Sequence, residues 1–394
     1  MNDNNESGAA RSGRHFLQVP GPTNVPDRIL GAMAQPTIDH RGTAFAALTL
    51  EIISGLRRVF NTSGPIMIYP GSATGGWEAG ITNTLSPGDK ILMFDSGFFA
   101  LNWKIAAVRF GLEVDFVSCD WRHGVDPDTV EEKLKADASH EFKSVMVVHN
   151  ETSSGITNSI AAIREAMNHA GHPALLMVDA VSSAGSIEYR QDDWGVDVTI
   201  AGSQKGLMLP PGLSFNVVSE KAIAAGASSQ LPSSYWNWKD VLPSNETGQF
   251  PYTPATNLLF GLREALSMLE AEGWSNIYVR HARLAEATRR AVAAWGFENY
   301  CAIPAKSSNT VTTVLLPESD SADELRAVIL RRYDMSLGAG LGPLADKVFR
   351  IGHLGSFNEL MLAGTLSGIE MGLAAAGISH STGGVTAALD YLKT

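Results

Sequence analysis

The sequence has few cysteines and few charged residues for its length. Only Cys119 and Cys301 occur among 394 residues, which is too few for a disulfide framework and favours a reducing compartment. Neither cysteine lies among basic residues or at a helix start, so we expect both to be structural rather than reactive. Charged residues amount to 18% of the chain. The scarcity of cysteine predicts a cytoplasmic protein without a disulfide scaffold, and the low charge allows a large buried core.

Positive charge and long apolar runs are scarce as well. The 30 lysines and arginines are outnumbered by 41 aspartates and glutamates, which gives a net charge of −11. Such a charge argues against nucleic acid or an anionic membrane as a partner, although a local arginine can still bind a small anion. No apolar run reaches the ~18 residues that a membrane span needs. We therefore expect no nucleic-acid partner and no membrane partner.

The chain does contain enough apolar residues to build more than one packed unit. Hydrophobic residues make up 44% of it, and its length suggests two or three domains at ~150 residues each. We predict a flexible arm over residues 1–14, a large domain over 15–273 and a smaller C-terminal domain over 274–394, whose first helix links the two. The smaller domain is predicted because the pattern after Gly296 changes to strand, helix, strand and helices.

Short apolar runs alternate with amphipathic segments of helical length. Because doubly apolar strands separated by helices form a parallel sheet covered on both faces, this pattern predicts an α/β fold. The six runs are residues 66–69, 91–94, 114–117, 145–148, 175–178 and 196–200. Helices are predicted to begin near Asp126 and to cover residues 159–170, 254–273 and 275–295.

One lysine and one aspartate have unusual surroundings. Lys205 lies in a turn of small and apolar residues and precedes Pro-Pro-Gly, which cannot continue a helix. Burial there would remove water from its ammonium group and lower its pKa. Asp179 ends another apolar run. A lysine that can form a Schiff base and a carboxylate that keeps a ring nitrogen protonated are what pyridoxal phosphate chemistry requires. A lone lysine in a loop is usually solvated surface, so the hypothesis needs the segments below.

Three further strand ends carry residues suited to a cofactor. Residues 71–78, Gly-Ser-Ala-Thr-Gly-Gly-Trp-Glu, follow a strand and open a helix, where N–H groups and the helix dipole can bind a phosphate. Phe99 could stack on a planar ring, and Thr152 could bond a ring hydroxyl. Each also has an ordinary explanation, as a glycine-rich helix start, a core aromatic or a turn residue. His149, beside Thr152, is interpreted as structural.

A nicotinamide-dependent oxidoreductase is the alternative interpretation of the glycine turn. It predicts an acidic residue about 20 positions after the glycines, and Asp95 is roughly there. However, the turn lacks the GxGxxG spacing of that class, and Lys205 would have no role. The pyridoxal phosphate hypothesis is therefore preferred.

Arg350 lies on a short apolar run of the predicted smaller domain. An arginine that faces inward needs a carboxylate partner. That carboxylate belongs either to an acidic residue of the protein or to a substrate bound in bidentate geometry. The residue type alone leaves both possibilities open.

Taken in order, these segments resemble the class V, fold-type-I aminotransferases, which use pyridoxal phosphate. The resemblance extends from about Phe16 to Leu392. The stretches that carry it are residues 19–24, 70–75, 149–152, 178–183, 202–206, 250–255 and 336–353. It implies a large domain with a mostly parallel seven-stranded sheet, a smaller C-terminal α/β domain, no metal and a homodimer.

The resemblance implies a role for each candidate residue. Lys205 would be the Schiff-base lysine and proton shuttle, Asp179 would pair with the ring nitrogen, and Arg350 would bind the substrate α-carboxylate. The other residues expected to contact the cofactor are Ser72, Ala73, Thr74, Phe99, Thr152, Gln204 and Thr253 of the partner subunit. Thr23 and Asn24 are further candidates for substrate binding.

The phosphate site differs from the family pattern at one position. Phe250 stands where related enzymes often have a tyrosine whose hydroxyl binds the phosphate. Whether Phe250 or the nearby Tyr252 contributes is open.

The resemblance also implies a reaction, the transfer of the amino group of L-serine to glyoxylate by a ping-pong mechanism. The same skeleton serves L-aspartate or L-alanine as donor, and pyridoxamine with pyruvate. An enzyme specialised for aspartate would be expected to offer an additional cation, and none is identified. Tyr235, Trp236 and Trp238 resemble the residues of serine-specific members and favour serine.

Overall fold

The computed structural model describes residues 12–393. Residues 1–11 of the predicted arm lie outside this range, and residues 12–14 are exposed and belong to no helix or strand. The elements up to residue 151 are β1 (Phe16–Gln18), α1 (Asp27–Met33), α2 (Thr43–Phe60), β2 (Ile66–Gly71), α3 (Ala73–Thr84), β3 (Lys90–Asp95), α4 (Phe98–Arg109), β4 (Glu113–Ser118), α5 (Pro127–Ala136), β5 (Phe142–Val148) and β6 (Asn150–Glu151).

The remaining elements fall on either side of Gly273. Those before it are β7 (Ile156–Thr157), α6 (Ile160–His169), β8 (Leu175–Asp179), β9 (Val198–Gly202), β10 (Gly212–Val218), α7 (Glu220–Ala225), α8 (Trp238–Glu246) and α9 (Thr256–Glu272). Those after it are α10 (Trp274–Trp295), β11 (Glu298–Asn299), β12 (Val311–Leu315), α11 (Ala322–Tyr333), β13 (Met335–Ala339), β14 (Val348–Gly352), α12 (Glu359–Ala375) and α13 (Gly384–Leu392). Within residues 12–393 no helix is long and apolar enough to cross a membrane.

A seven-stranded sheet forms the centre of the larger unit. Its strand order is β2-β10-β9-β8-β5-β3-β4, and only β10 runs antiparallel to its neighbours. Apolar side chains from both faces of the sheet pack into two separate clusters. The prediction of a mostly parallel, seven-stranded sheet is confirmed, and each of the six apolar runs contributes a strand.

The seventh strand, β10, does not show the apolar pattern of the other six. Its polar residues Ser214 and Asn216 are fully buried. They lie against α3, where the Asn216 side chain donates to the Gly76 carbonyl at 3.0 Å. Small polar residues suit this close approach of helix and strand, which explains why hydrophobicity alone did not identify β10.

Side-chain caps begin two of the four predicted helices. Asp126 accepts from the Asp128 N–H at the start of α5, and Ser159 accepts from the Ala162 N–H at the start of α6. α9 and α10 follow each other directly, separated by Gly273 with φ of 84°. Both long helices were predicted within two residues of their observed ends.

A second sheet lies in the C-terminal part of the chain, with strand order β1-β13-β14-β12-β11. Its apolar residues pack with α10 to α13 into a third cluster. β1 pairs in parallel with β13, so residues 16–18 join this sheet although the prediction assigned residues 15–273 to the large domain. The division at residue 273 stays a prediction.

The carboxyl ends of the parallel strands bring the candidate residues to one edge of the large sheet. β8 ends at Asp179, and its neighbour β9 leads into the loop that carries Lys205. β5, β3 and β2 end shortly before Thr152, Phe99 and Ser72 respectively. This edge is where open α/β sheets bind their ligands.

Candidate active site

Lys205 is held in the loop between β9 and β10 by the N-terminal segment of the chain. Its Nζ donates a hydrogen bond to the Pro20 carbonyl at 2.8 Å. Gly21 has a φ of 117°, which favours glycine, and a Cβ on Gly21 would lie 2.4 Å from Nζ and displace the lysine side chain. Burial lowers the pKa of Lys205 to about 8, with a further contribution from the positive charge of Arg350, while the negative charge of Asp179 opposes the change.

Asp179 is a buried carboxylate with a donor on each oxygen. Oδ1 accepts from the Val181 N–H at 2.8 Å, and Oδ2 accepts from the indole Nε1 of Trp77 at 2.8 Å. Burial raises the pKa of Asp179 to about 6, and the hydrogen bonds from Val181 and Trp77 and the charge of Lys205 limit the increase. Asp179 is therefore mainly ionised at pH 7.

The start of α3 offers a site for a phosphate. Ser72 is the N-cap residue, but its hydroxyl makes no capping hydrogen bond. Ser72 and Thr74 are exposed, and Ala73 between them is buried. The first N–H groups of a helix lack intrahelical partners and carry partial positive charge, so they attract an anion.

Gln204 adds an amide group next to this helix start. Its Oε1 is buried and has no hydrogen-bond partner among residues 12–393. Gly202 lies next to both this oxygen and Ala73, the first residue of α3. A Cβ on Gly202 would be 3.0 Å from the Gln204 oxygen and 3.4 Å from the Cβ of Ala73, so the amide lies near the start of α3. A half-turn of the amide exchanges its oxygen for the NH₂ group and would present a donor to a phosphate.

Phe99 lies in the first turn of α4, and Glu151 fixes that turn. Glu151 Oε2 accepts from the N–H groups of Phe99 at 3.1 Å and Ala100 at 3.2 Å, while Oε1 accepts from the N–H and hydroxyl of Ser153. Burial raises the pKa of Glu151 to about 7, and the hydrogen bonds from Ser153 and Ala100 oppose this. The position of the Phe99 ring therefore depends on a carboxylate to which the sequence analysis gave no role.

Arg350 lies on β14 and reaches the edge of the large sheet. Its Nε donates to the Ala339 carbonyl at 2.6 Å and its Nη1 to the Thr152 carbonyl at 3.0 Å. Only 7% of its surface is exposed, and no carboxylate among residues 12–393 lies within the 4.0 Å limit of an ion pair. Of the two open possibilities, a substrate carboxylate fits this arrangement better than an internal one.

The two N-terminal candidates, Thr23 and Asn24, make different contacts. Thr23 is buried beside the lysine loop, where its N–H donates to the Gln204 carbonyl and its hydroxyl to the Lys205 carbonyl at 3.2 Å. The Asn24 side chain donates to the Leu17 carbonyl at 2.9 Å. Its amide nitrogen thus already binds the chain's own backbone.

Thr253 and its neighbours lie in the loop before α9. Thr253 is exposed, whereas Phe250 is buried with its ring 6.0 Å from that of Phe45. Tyr252 stacks on Tyr235 with ring centroids 4.5 Å apart. Among residues 12–393 no hydrogen bond joins Thr253 to the start of α3.

Some residues of the site lie in motifs that the sequence analysis identified, yet received no role there. Trp77 follows the glycine turn, Glu151 precedes Thr152, and Gly21 lies in the stretch 19–24. The contacts that make them important join residues far apart in sequence. Asp95, which the oxidoreductase alternative requires for a ribose, instead accepts from the Trp121 indole at 2.8 Å.

Comparison with known proteins identifies the family. A model described as "Aminotransferase class-V" matches residues 15–342. The chain belongs to the class-V aminotransferases. It is therefore a transaminase that depends on pyridoxal phosphate, and the predictions of family, fold and cofactor are confirmed.

Three similar proteins illustrate the range of this family. The chain is 49% identical over 390 residues to the serine–glyoxylate aminotransferase of Methylorubrum extorquens, covering 97% of both chains. It is 42% identical to the L-aspartate–glyoxylate aminotransferase of Paracoccus denitrificans, covering 95% of both. Its structure matches that of pyridoxamine–pyruvate aminotransferase from Mesorhizobium loti with a TM-score of 0.91 and 28% identity, over 98% of this chain and 99% of the other.

The residues at the sheet edge fit pyridoxal phosphate in both charge and position. The uncapped start of α3 and the unpartnered Gln204 amide suit the phosphate. Asp179 suits a protonated ring nitrogen, and Lys205 has the lowered pKa that suits reaction with an aldehyde.

Proposed function

We propose that this transaminase transfers the amino group of L-serine to glyoxylate, producing hydroxypyruvate and glycine. The observation that carries the proposal is the buried guanidinium of Arg350, which lacks a carboxylate partner among the described residues and is close enough to lower the pKa of Lys205. Both substrates have a carboxylate next to the reacting carbon, and this guanidinium can bind it bidentately.

The choice of serine over aspartate rests on charge. An aspartate donor brings a second carboxylate, whose burial needs a further cation. Arg326, whose charge contributes to lowering the pKa of Arg350, binds the Leu337 carbonyl and Asp323 instead. The 49% identity to a serine–glyoxylate aminotransferase supports the same choice.

The roles of the residues follow from their chemistry. When bound, pyridoxal phosphate supplies an aldehyde that reacts with amines and a ring that withdraws electrons from the substrate α-carbon. Lys205, with a pKa of about 8, exists partly as the free amine near neutral pH, so it could take a proton from the substrate α-carbon and deliver it to the aldehyde carbon of the cofactor. Asp179 would keep a proton on the ring nitrogen of the bound cofactor, and Arg350 would orient the substrate by its carboxylate.

The remaining contacts place the cofactor. Phe99 would cover one face of the cofactor ring, and Thr152 would bond the ring hydroxyl. The residues proposed to hold the phosphate are Ser72, Ala73, Thr74 and Gln204. Thr23 supports the lysine loop through its hydrogen bond to the Lys205 carbonyl. Asn24 is kept as a proposed substrate contact through its amide oxygen, since its nitrogen binds the Leu17 carbonyl.

We further propose a cytoplasmic homodimer. Thr253 is exposed and makes no hydrogen bond with residues 12–393, so its hydroxyl is available to the neighbouring subunit. Thr253 of the partner subunit would then complete the phosphate site, and a monomer would bind the cofactor weakly.

A comparison of amino donors tests the choice of substrate. With glyoxylate as acceptor, we expect kcat/KM for L-serine to exceed that for L-aspartate or L-alanine at least about tenfold, because aspartate leaves a carboxylate unpaired and alanine lacks the hydroxyl. Steady-state rates with each donor measure the ratio. A higher kcat/KM for aspartate would show that aspartate, not serine, is the amino donor. The proposed cofactor chemistry would stay the same.

A further inference from the structure

Trp77 joins the phosphate end of the site to its carboxylate end. It is the fifth residue of α3, the helix that begins at Ala73 next to Ser72. Its indole Nε1 donates to Asp179 Oδ2 at 2.8 Å. Its ring is 5% exposed and stacks on Trp103, with centroids 5.9 Å apart and an angle of 16° between the planes. One helical turn thus separates the proposed phosphate site from the group that holds Asp179.

A buried carboxylate needs donors to stay ionised. Asp179 is 3% exposed, and burial without hydrogen bonds would favour its neutral form. The Val181 N–H on Oδ1 belongs to the backbone that follows Asp179, whereas the Trp77 indole on Oδ2 comes from another element. Two donors on opposite oxygens fix the plane of the carboxylate as well as its charge.

We propose that Trp77 is a positioning residue, which keeps Asp179 ionised and aimed at the cofactor ring nitrogen through its indole N–H. The inference rests on the pyridoxal phosphate chemistry of the proposed function, but not on the identity of the amino donor. It predicts that the pKa of Asp179 and the binding of the cofactor depend on the indole N–H group of Trp77 rather than on the size of its ring.

The matched variants are Trp77→Phe and Trp103→Phe. Both make the same substitution in the same stacked pair, but the Trp103 indole N–H has no hydrogen-bond partner among residues 12–393. Each variant loses similar packing, and only Trp77→Phe removes a donor from Asp179. The ionisable neighbours whose pKa is affected by the charge of Asp179 are Lys205, Glu151 and Tyr189, and both variants leave them in place.

The first measurement uses the protein without cofactor. Side-chain ¹³C NMR of labelled aspartate follows the titration of Asp179, and we expect Trp77→Phe to raise the pKa of Asp179 above that of the wild type. The Trp103→Phe variant should leave it unchanged. Equal pKa values of Asp179 in all three proteins would overturn the proposal.

The second measurement uses the cofactor and an analogue in which the ring nitrogen is replaced by CH. Trp77→Phe should weaken pyridoxal phosphate binding about tenfold, which corresponds to ~1.4 kcal/mol, and should lower kcat more than it raises KM. With the analogue the same variant should bind as tightly as the wild type, because no ring nitrogen remains for Asp179. An equal loss with both cofactors, or an equal loss in Trp103→Phe, would indicate packing alone and contradict the proposal.

A measurement without mutation covers the case in which Trp77→Phe does not fold. In the wild-type protein without cofactor, the indole ¹⁵N–H signal of Trp77 should shift with the same pH midpoint as Asp179, while that of Trp103 stays constant. A Trp77 signal that does not shift as Asp179 titrates would refute the inference. A wild-type protein that fails to bind pyridoxal phosphate would instead contradict the cofactor chemistry, and the titration result would still stand.

Discussion

Replacement of Lys205 by alanine reduces transamination by about four orders of magnitude or more in our account. The substitution removes both the amine that reacts with the cofactor aldehyde and the group that moves the proton at the substrate α-carbon. The contacts of the Lys205 loop are made mainly by its backbone, since Thr23 binds the carbonyls of Gln204 and Lys205. We therefore expect the variant to fold, and circular dichroism with steady-state rates measures both properties.

A matched lysine distinguishes this loss from a general effect of charge. Lys143 is exposed at the opposite end of the large sheet, where its one hydrogen bond within residues 12–393 is to the His140 carbonyl. Lys143→Ala should keep the wild-type rate. A Lys205→Ala variant that transaminates at more than a few per cent of that rate would contradict the role of Lys205.

The variant Arg350→Ala should weaken the binding of every substrate that carries an α-carboxylate. Removal of a charged partner from a buried bidentate pair costs about 2–5 kcal/mol, so we expect KM for both serine and glyoxylate to rise by about 30-fold or more. The effect on kcat should be smaller, because Arg350 binds the unreactive end of the substrate. Initial rates at varied concentrations of each substrate measure the two effects separately.

The control for this variant is an arginine far from the sheet edge that binds the cofactor. Arg109 is exposed at the end of α4 opposite to Phe99. Arg109→Ala should leave both KM values unchanged. An Arg350→Ala variant that loses affinity for only one amino donor, and none for glyoxylate, would mean that Arg350 recognises the donor side chain instead.

Much of the large sheet can be predicted from the sequence because five of its strands, β2, β3, β5, β8 and β9, are mostly buried, while the edge strand β4 still contains enough apolar residues to be recognised. Their apolar runs are short, β-branched or otherwise hydrophobic, and separated by helices with capping residues such as Asp126 and Ser159. Since parallel strands end at one edge, the positions of Asp179 and Lys205 follow from the same pattern.

The rest of the site depends on contacts that no local pattern encodes. β10 carries buried polar residues because α3 packs closely on it. Trp77 and Glu151 resemble ordinary helix and turn residues until the fold brings Asp179 and the start of α4 to them. Likewise, the parallel pairing of β1 with β13 joins residues more than three hundred positions apart, which residue periodicity cannot indicate.

The visible absorption spectrum during one half-reaction tests the central claim most directly. The protein purified with pyridoxal phosphate should be yellow, L-serine alone should bleach that band to the spectrum of pyridoxamine phosphate, and glyoxylate should restore it. This result would establish the cofactor, the donor and the acceptor together. A yellow protein whose spectrum stays unchanged with serine but bleaches with aspartate would contradict the proposed donor, and a protein that binds no pyridoxal phosphate would contradict the account as a whole.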